Sequence, residues 1–309
     1  MKICFIGSCG HTYRTFEEMK LCNEAEFVGI APGSEHENTE DFKKYNIKVY
    51  NSYIKMLEIE APDIAVISPV FGYTGKIIKE CAKRKIDIFS EKLIASNPKE
   101  LNEVKDCITA NNIHFSAMHF LRFTPSFYQA KKAIENGTIG EIKLITAQKS
   151  YKYGKRHEWY NDRNLYPGTI PWVGIHAIDW IYFFTKKDFK SVTALDFGNP
   201  AKYALCQFEL EDEIIASVNI DFLRHINAPS HGDDRIRIAG TDGVIEVFED
   251  KYVLINKDGI KECFQGESPK LALDFLYNKE ELTKEEIFML TEIALKTQLS
   301  ADRKERIYL

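Results

Sequence analysis

The chain opens with short apolar runs separated by longer amphipathic stretches. Residues 2–6 (Lys-Ile-Cys-Phe-Ile) predict a first buried strand, and residues 27–31, 48–50, 64–68, 86–89 and 113–117 predict five more. Between them, 12–21, 38–45, 52–60, 72–85 and 97–111 carry apolar and charged residues at helical spacing. That alternation is the signature of a parallel sheet covered by helices on both faces, and it stops near His119. After a linking helix at 124–136 the period changes to two. Residues 141–150, 190–195, 203–210, 214–222, 235–239 and 244–248 predict a large, open, mostly antiparallel sheet, with Gly240-Thr241-Asp242-Gly243 as a tight turn. Helices at 268–277 and 283–303 close the chain. The expectation is an α/β protein of two domains, 1–119 and 120–309, the second of α+β type.

One helical stretch stands apart. In Gly168–Trp180 (GTIPWVGIHAIDW), Ile175, Ile178, Ile181 and Tyr182 recur at helical spacing after Pro171 and Gly174, which predicts His176 in the first turn of a buried helix. The positive helix end would keep its imidazole neutral and able to accept a proton. A hydrogen-bonded core histidine is the alternative.

Composition narrows the class of partner. At 309 residues with a formal net charge of -5 and a pI near 6.0, the chain lacks the broad basic surface that holds nucleic acid. No apolar run reaches membrane-spanning length, and the N-terminus lacks the pattern of a signal peptide, so a cytoplasmic location with no membrane partner is expected. Seven scattered cysteines without a CxxC pair suit reduced thiols better than disulfides or zinc.

Candidate chemistry begins after the first strand. Gly7-Ser8-Cys9-Gly10-His11-Thr12 is a glycine-bearing turn into a helix, where backbone N–H groups can receive a pyrophosphate. In a G-x-G-x-x-G register Cys9 and Thr12 replace the second and third glycines. The second strand runs into Ala31-Pro32-Gly33-Ser34-Glu35, with neither an acid at the place expected for NAD nor an arginine for NADP, so Ser34 or Glu35 would have to reach the ribose from the loop. Ser90-Glu91-Lys92-Leu93 puts a lysine just past the carboxyl end of a parallel strand, where open sheets bind ligands. Burial and an oxidised nicotinamide would lower the pKa of Lys92 and make it a proton acceptor. In the second half, residues 149–160 are basic and aromatic, suited to covering sugar faces and holding anions, with Tyr151, Arg156 and Arg163 as the leading candidates. His231-Gly232-Asp233-Asp234 has no companion ligand cluster, so no metal is expected and His231 is carried as a substrate candidate.

Gly7/Gly10, Glu91-Lys92, Arg122-Phe123-Thr124-Pro125, Gly174-Ile175-His176-Ala177-Ile178-Asp179 and Leu299-Ser300-Ala301 together resemble, in order and spacing, the glucose-fructose oxidoreductase/inositol dehydrogenase (Gfo/Idh/MocA) family. The resemblance implies an N-terminal Rossmann domain, NAD or NADP as cofactor, a sugar or polyol as small-molecule substrate, and a homo-oligomer, dimer or tetramer. It assigns Lys92 and His176 to catalysis. Gly7, Ser8, Cys9, Gly10, His11, Ser34, Pro69, Tyr73, Glu91 and Lys92 would contact cofactor, and Arg122, Tyr151, Arg156, Arg163, Trp172, Asp179 and His231 substrate. The chain departs from the family pattern at Leu93, where a proline is usual, at Val70 and Tyr73, and at Trp172, where the family carries an acid four places before the histidine. Two other outcomes suit the same scaffold: sugar elimination or glycoside cleavage through transient oxidation, and a non-catalytic sensor or partner subunit.

Overall fold

The computed structural model describes residues 1–198, 200–264 and 266–309. The chain forms two compact units. The first comprises Met1–Met118 with Asp162–Pro167 and Lys270–Glu292; the second comprises the remaining segments, His119–Asn161, Gly168–Pro269 and Ile293–Leu309.

In the first unit β1 (Lys2–Ile6), α1 (Thr12–Met19), β2 (Glu26–Ala31), α2 (Tyr53–Glu60), β3 (Ile64–Ile67), α3 (Thr74–Lys83), β4 (Asp87–Ser90), α4 (Pro98–Asn111) and β5 (Phe115–Ala117) build a five-stranded parallel sheet, order β2-β1-β3-β4-β5. The strand centres are apolar because both faces are covered, and Ile3–Ile6 and Ala65–Ile67 are fully buried. Helix starts follow local chemistry: the Ser52 hydroxyl accepts from the N–H of Lys55, and Asn97 accepts from Glu100 just before Pro98. The short third strand expected at 48–50 is instead one bridge, Ile30 to Val49, and the helix expected at 38–45 is a 3-10 turn over Glu40–Tyr45. Too few apolar residues line up there to hold a longer element.

The second unit contains α5 (Pro125–Glu135), β6 (Ile142–Tyr151), α6 (Ile175–Thr185), β7 (Phe189–Gly198), β8 (Ala201–Leu210), β9 (Ile215–Asp221), β10 (Gly232–Gly240), β11 (Gly243–Val247), β12 (Lys251–Asn256) and β13 (Gly259–Phe264). α7 (Leu271–Leu276) falls in the first unit, α8 (Lys284–Arg303) has residues in both, and β14 (Ile307–Tyr308) returns to the second. The nine-stranded sheet runs β13-β12-β11-β10-β6-β9-β8-β7-β14, and among its pairs only β6–β9 is parallel. One face packs under α5 and α6. Its alternating residues, Ile145 and Ala147 on β6 and Ala216, Val218 and Ile220 on β9, are buried. No helix among the described residues is long and apolar enough to cross a membrane.

Candidate active site

In the first unit the turn after β1 is shaped by its glycines. Gly7 and Gly10 have φ of +89° and +59°, the left-handed region that side chains avoid. A Cβ on Gly7 would lie 2.4 Å from the Ser68 carbonyl oxygen, and one on Gly10 would lie 2.1 Å from Glu91 Oε2. No side chain caps α1. The turn holds anions already: Glu91 Oε2 accepts from the His11 N–H at 2.7 Å, and the His11 ring meets the same carboxylate at 2.9 Å. Glu37 Oε2 accepts from the N–H of Ser8 at 3.3 Å. Both N–H groups are thus engaged by carboxylates of the chain itself.

Burial pushes the Glu91 carboxyl up, but the His11 ring and backbone, with Lys92, hold it below its ordinary value, so it remains ionised. Burial, followed by the charges of Glu37 and Glu91, pushes the Cys9 thiol up to about 12. Cys9 is therefore a neutral filler where the fingerprint has glycine. Lys92 is buried directly after β4, and its peptide to Leu93 is cis. Pro69 is buried at the exit of β3, while Ser34 donates to Glu37 and the Tyr73 hydroxyl donates to Glu35 at 3.4 Å.

In the second unit the helical path begins before α6. Ile170–Gly174 form a π-turn that runs directly into Ile175, and Thr169 and Gly174 both have right-handed helical angles. His176 therefore sits about two turns inside a continuous helix, and the proposed influence of a free helix end falls away, because Pro171 occupies the opening of the π-turn without breaking it. Gly174 lets this segment approach β9, since an added Cβ would meet Ile220 Cδ1 at 2.4 Å. His176 is buried, and the ring of His119 stands edge-on to it with centroids 6.5 Å apart and planes at 75°. Asp179, one turn on from His176, accepts from Arg122 Nε at 3.0 Å and again from its Nη2. Arg122 and Asp179, expected beside substrate, are thus buried and paired with one another. Trp172 is half-buried in the π-turn.

The aromatic and basic segment forms a cluster within the same unit. The Arg156 guanidinium lies over Phe222, Tyr160 and Tyr153 at 4.9, 5.3 and 5.8 Å. Tyr151 packs on the His231 ring at 5.3 Å, and its hydroxyl is 3.4 Å from Asp234. Burial, then Arg156 and Lys152, lower the His231 pKa, so its ring is neutral near pH 7. Asp233 binds Arg224 and Arg235, and Asp234 binds the fully buried Lys149, so both acids beside His231 serve internal ion pairs. Among the described residues no group of three metal-ligating side chains gathers. Arg163 belongs to the segment Asp162–Pro167 of the first unit.

Residues 1–119 match the family model described as the oxidoreductase family with an NAD-binding Rossmann fold, and 127–246 match that of the GFO/IDH/MocA C-terminal domain. The chain belongs to the GFO/IDH/MocA oxidoreductase family. Within it, a candidate oxidoreductase of Thermotoga maritima, known from its solved structure, is 42% identical over 100% of both chains with a TM-score of 0.96. An uncharacterized oxidoreductase of Streptococcus pneumoniae is 25% identical over 65% of this chain and 56% of its own length. The glucose-6-phosphate 3-dehydrogenase of Bacillus subtilis is 24% identical over 61% of this chain and 55% of its own. The chain thus spans little more than half the length of these two curated relatives.

Two residues went unnoticed in the sequence. Glu37 lies six places beyond β2 and returns its carboxylate to the strand exits. The only prior sign was a loop, 32–42, containing four acids and neither lysine nor arginine. His119 stands three places before Arg122 at the exit of β5, and nothing local in the sequence marks it as a neighbour of His176.

Proposed function

We propose that the protein is a nicotinamide-dependent dehydrogenase that oxidises a hydroxyl of a sugar or polyol carrying a carboxylate or phosphate. The observation that carries this reading is a glycine turn after β1 whose N–H groups already hold carboxylates, with a buried lysine directly after β4, two strands away in the same parallel sheet. Gly7, Ser8, Cys9, Gly10 and His11 would line the dinucleotide, with Pro69 and Tyr73 beside them; the Gly7 and Cys9 N–H groups donate to Ala31 and Ser68 and shape the turn. The bound cofactor supplies the hydride acceptor. Lys92 takes the hydroxyl proton during oxidation and returns it during reduction. His176 is a second proton-handling group, supported within its own unit by its burial and its edge contact with His119. Arg156, its guanidinium within 6 Å of three ring centres, presents a planar donor for an anionic substituent, and Tyr151 and His231 flank the same aromatic cluster. The relative named for glucose 6-phosphate supports both the hydroxyl chemistry and the charge.

Titration with NADH and NADPH, followed by nicotinamide fluorescence, tests the cofactor, and failure to bind either removes the dehydrogenase reading. Stoichiometric accumulation of reduced cofactor separates net oxidation from cleavage through transient oxidation. Lys92→Met should lower kcat by about a hundredfold while dinucleotide binding persists; near-normal turnover takes Lys92 out of this role.

A further inference from the structure

Glu37 gathers donors from three strand exits. Its Oε1 accepts from the Val70 N–H at 2.9 Å and the Ser34 hydroxyl at 3.0 Å, and its Oε2 accepts from the N–H groups of Ser8 and Gly33, both at 3.3 Å. Ser8 follows β1, Gly33 and Ser34 follow β2, and Val70 follows β3, so the carboxylate lies at the carboxyl edge of three adjacent strands. An ionised carboxylate has about four acceptor positions, and these donors fill them.

This arrangement answers a question raised by the sequence. In Rossmann domains the exit of the second strand distinguishes a free ribose 2′-hydroxyl from a 2′-phosphate: an acid favours the first, and an arginine accommodates the second. Here the strand end itself carries neither. Glu37 brings an acid back to that position from the loop, and it consumes the Gly33 N–H and Ser34 hydroxyl that a phosphate would otherwise use. The loop offers no compensating cation, because residues 32–42 contain Glu35, Glu37, Glu40 and Asp41 but neither lysine nor arginine. A phosphate monoester brings a further charge of about −1.5 to −2 at neutral pH. A free hydroxyl brings none.

We propose that Glu37 makes the protein select NAD(H) over NADP(H) by filling the 2′-phosphate subsite with the chain's own carboxylate. The proposal rests on the reading of the first unit as a nicotinamide dinucleotide site and names which dinucleotide it takes.

The test is titration of the full chain with NADH and NADPH near neutral pH, followed by nicotinamide fluorescence. The wild type should bind NADH at least about tenfold more tightly than NADPH. Glu37→Gln keeps the shape and removes the charge, and it should narrow that ratio by about fivefold or more, chiefly by strengthening NADPH binding. Glu40→Gln makes the same change in charge at an exposed loop position paired with Lys43, and it should leave the ratio unchanged. Equal or tighter NADPH binding by the wild type overturns the proposal whether or not Glu37→Gln folds, while leaving the dinucleotide site intact. An equal shift in Glu40→Gln also overturns it, because loop charge alone would then account for the preference. Binding of neither nucleotide overturns the underlying reading and this proposal with it.

Discussion

Asp179 Oδ2 lies 3.5 Å from Nδ1 of the fully buried His119, while the Arg122 guanidinium engages the same carboxylate. The family places an acid four residues before its histidine, and this chain has Trp172 there. The carboxylate nearest to His176 along its own helix is Asp179, which makes contact with the ring beside His176. An ion pair sealed from water therefore contacts His119, the ring that stands edge-on to His176.

That pair has a stability consequence with a definite sign. Burial pushes Asp179 up, but the Arg122 guanidinium and then the His119 ring bring it down to about 2, from an ordinary 3.8. A depressed acid stabilises the fold above its unfolded pKa and loses that contribution as pH falls through its folded pKa, so the loss belongs between about pH 4 and pH 2. Asp179→Asn takes the carboxylate charge away from a buried guanidinium and should cost about 3–5 kcal/mol. Urea denaturation at neutral pH should show this loss, and in the variant the acid-dependent part assigned to Asp179 should disappear.

A second prediction separates backbone strain from a specific collision. Gly10→Ala places a methyl group in left-handed backbone 2.1 Å from Glu91 Oε2, whereas Gly137→Ala shares the positive φ but meets nothing within 4 Å. Strain alone should cost each about 1–2 kcal/mol. Gly10→Ala should cost more and weaken NADH binding by about tenfold, because Glu91 must leave the His11 N–H. Equal destabilisation by the two substitutions, with unchanged NADH affinity, would remove Glu91 from this account.

The parallel sheet was legible in the sequence because its strands have apolar centres and the stretches between them carry apolar and charged residues at helical spacing. Elements lacking one of those features were misread. Residues 48–50 read as a strand but contribute one bridge, and Pro171 suggested an interruption where a π-turn continues the helix. β12 and β13 were missed although Asp258-Gly259 marks their hairpin, because β13 is exposed along nearly its whole length and has no buried side to impose alternation. Of the site, the glycine turn and Lys92 lie next to strand ends and could be placed from local order. Glu37 reaches across three loops, and Arg122 meets Asp179 over 57 residues of chain, so both depended on tertiary pairing.

The outer face of the large sheet predicts self-association. Leu144 opposes Ile215, Leu205 opposes Leu195, and Tyr203 stacks on Phe197 at 5.8 Å, with all six side chains 43–58% exposed. The first pair is separated from the other four by Gln207 and Ser217, so the face carries two exposed apolar groups, and apolar surface of this kind marks a protein interface. Sedimentation at micromolar concentration should show a dimer or tetramer, and Leu205→Asp with Ile215→Asp should shift it toward monomer while leaving helicity unchanged. A monomeric wild type would refute this.

Substrate charge is the last prediction, and it turns on Arg156. Its guanidinium is stacked over Phe222 and Tyr160, an arrangement a lysine ammonium cannot reproduce because it lacks the flat face and the forked donors. Lys152 and Lys202 lie in the same region, with Lys202 Nζ 5.0 Å from the Tyr153 ring, so local potential is positive in a chain of net charge -5. If the stacked guanidinium holds a carboxylate or phosphate through paired hydrogen bonds, Arg156→Lys should raise KM for the acidic substrate by about tenfold or more, the equivalent of at least about 1.4 kcal/mol, with little change in kcat. Neutral sugars in the same panel should be poor substrates for the wild type, and their KM should be indifferent to the substitution. Efficient turnover of neutral polyols alone would eliminate the anionic substrate and leave the dehydrogenase chemistry to Lys92.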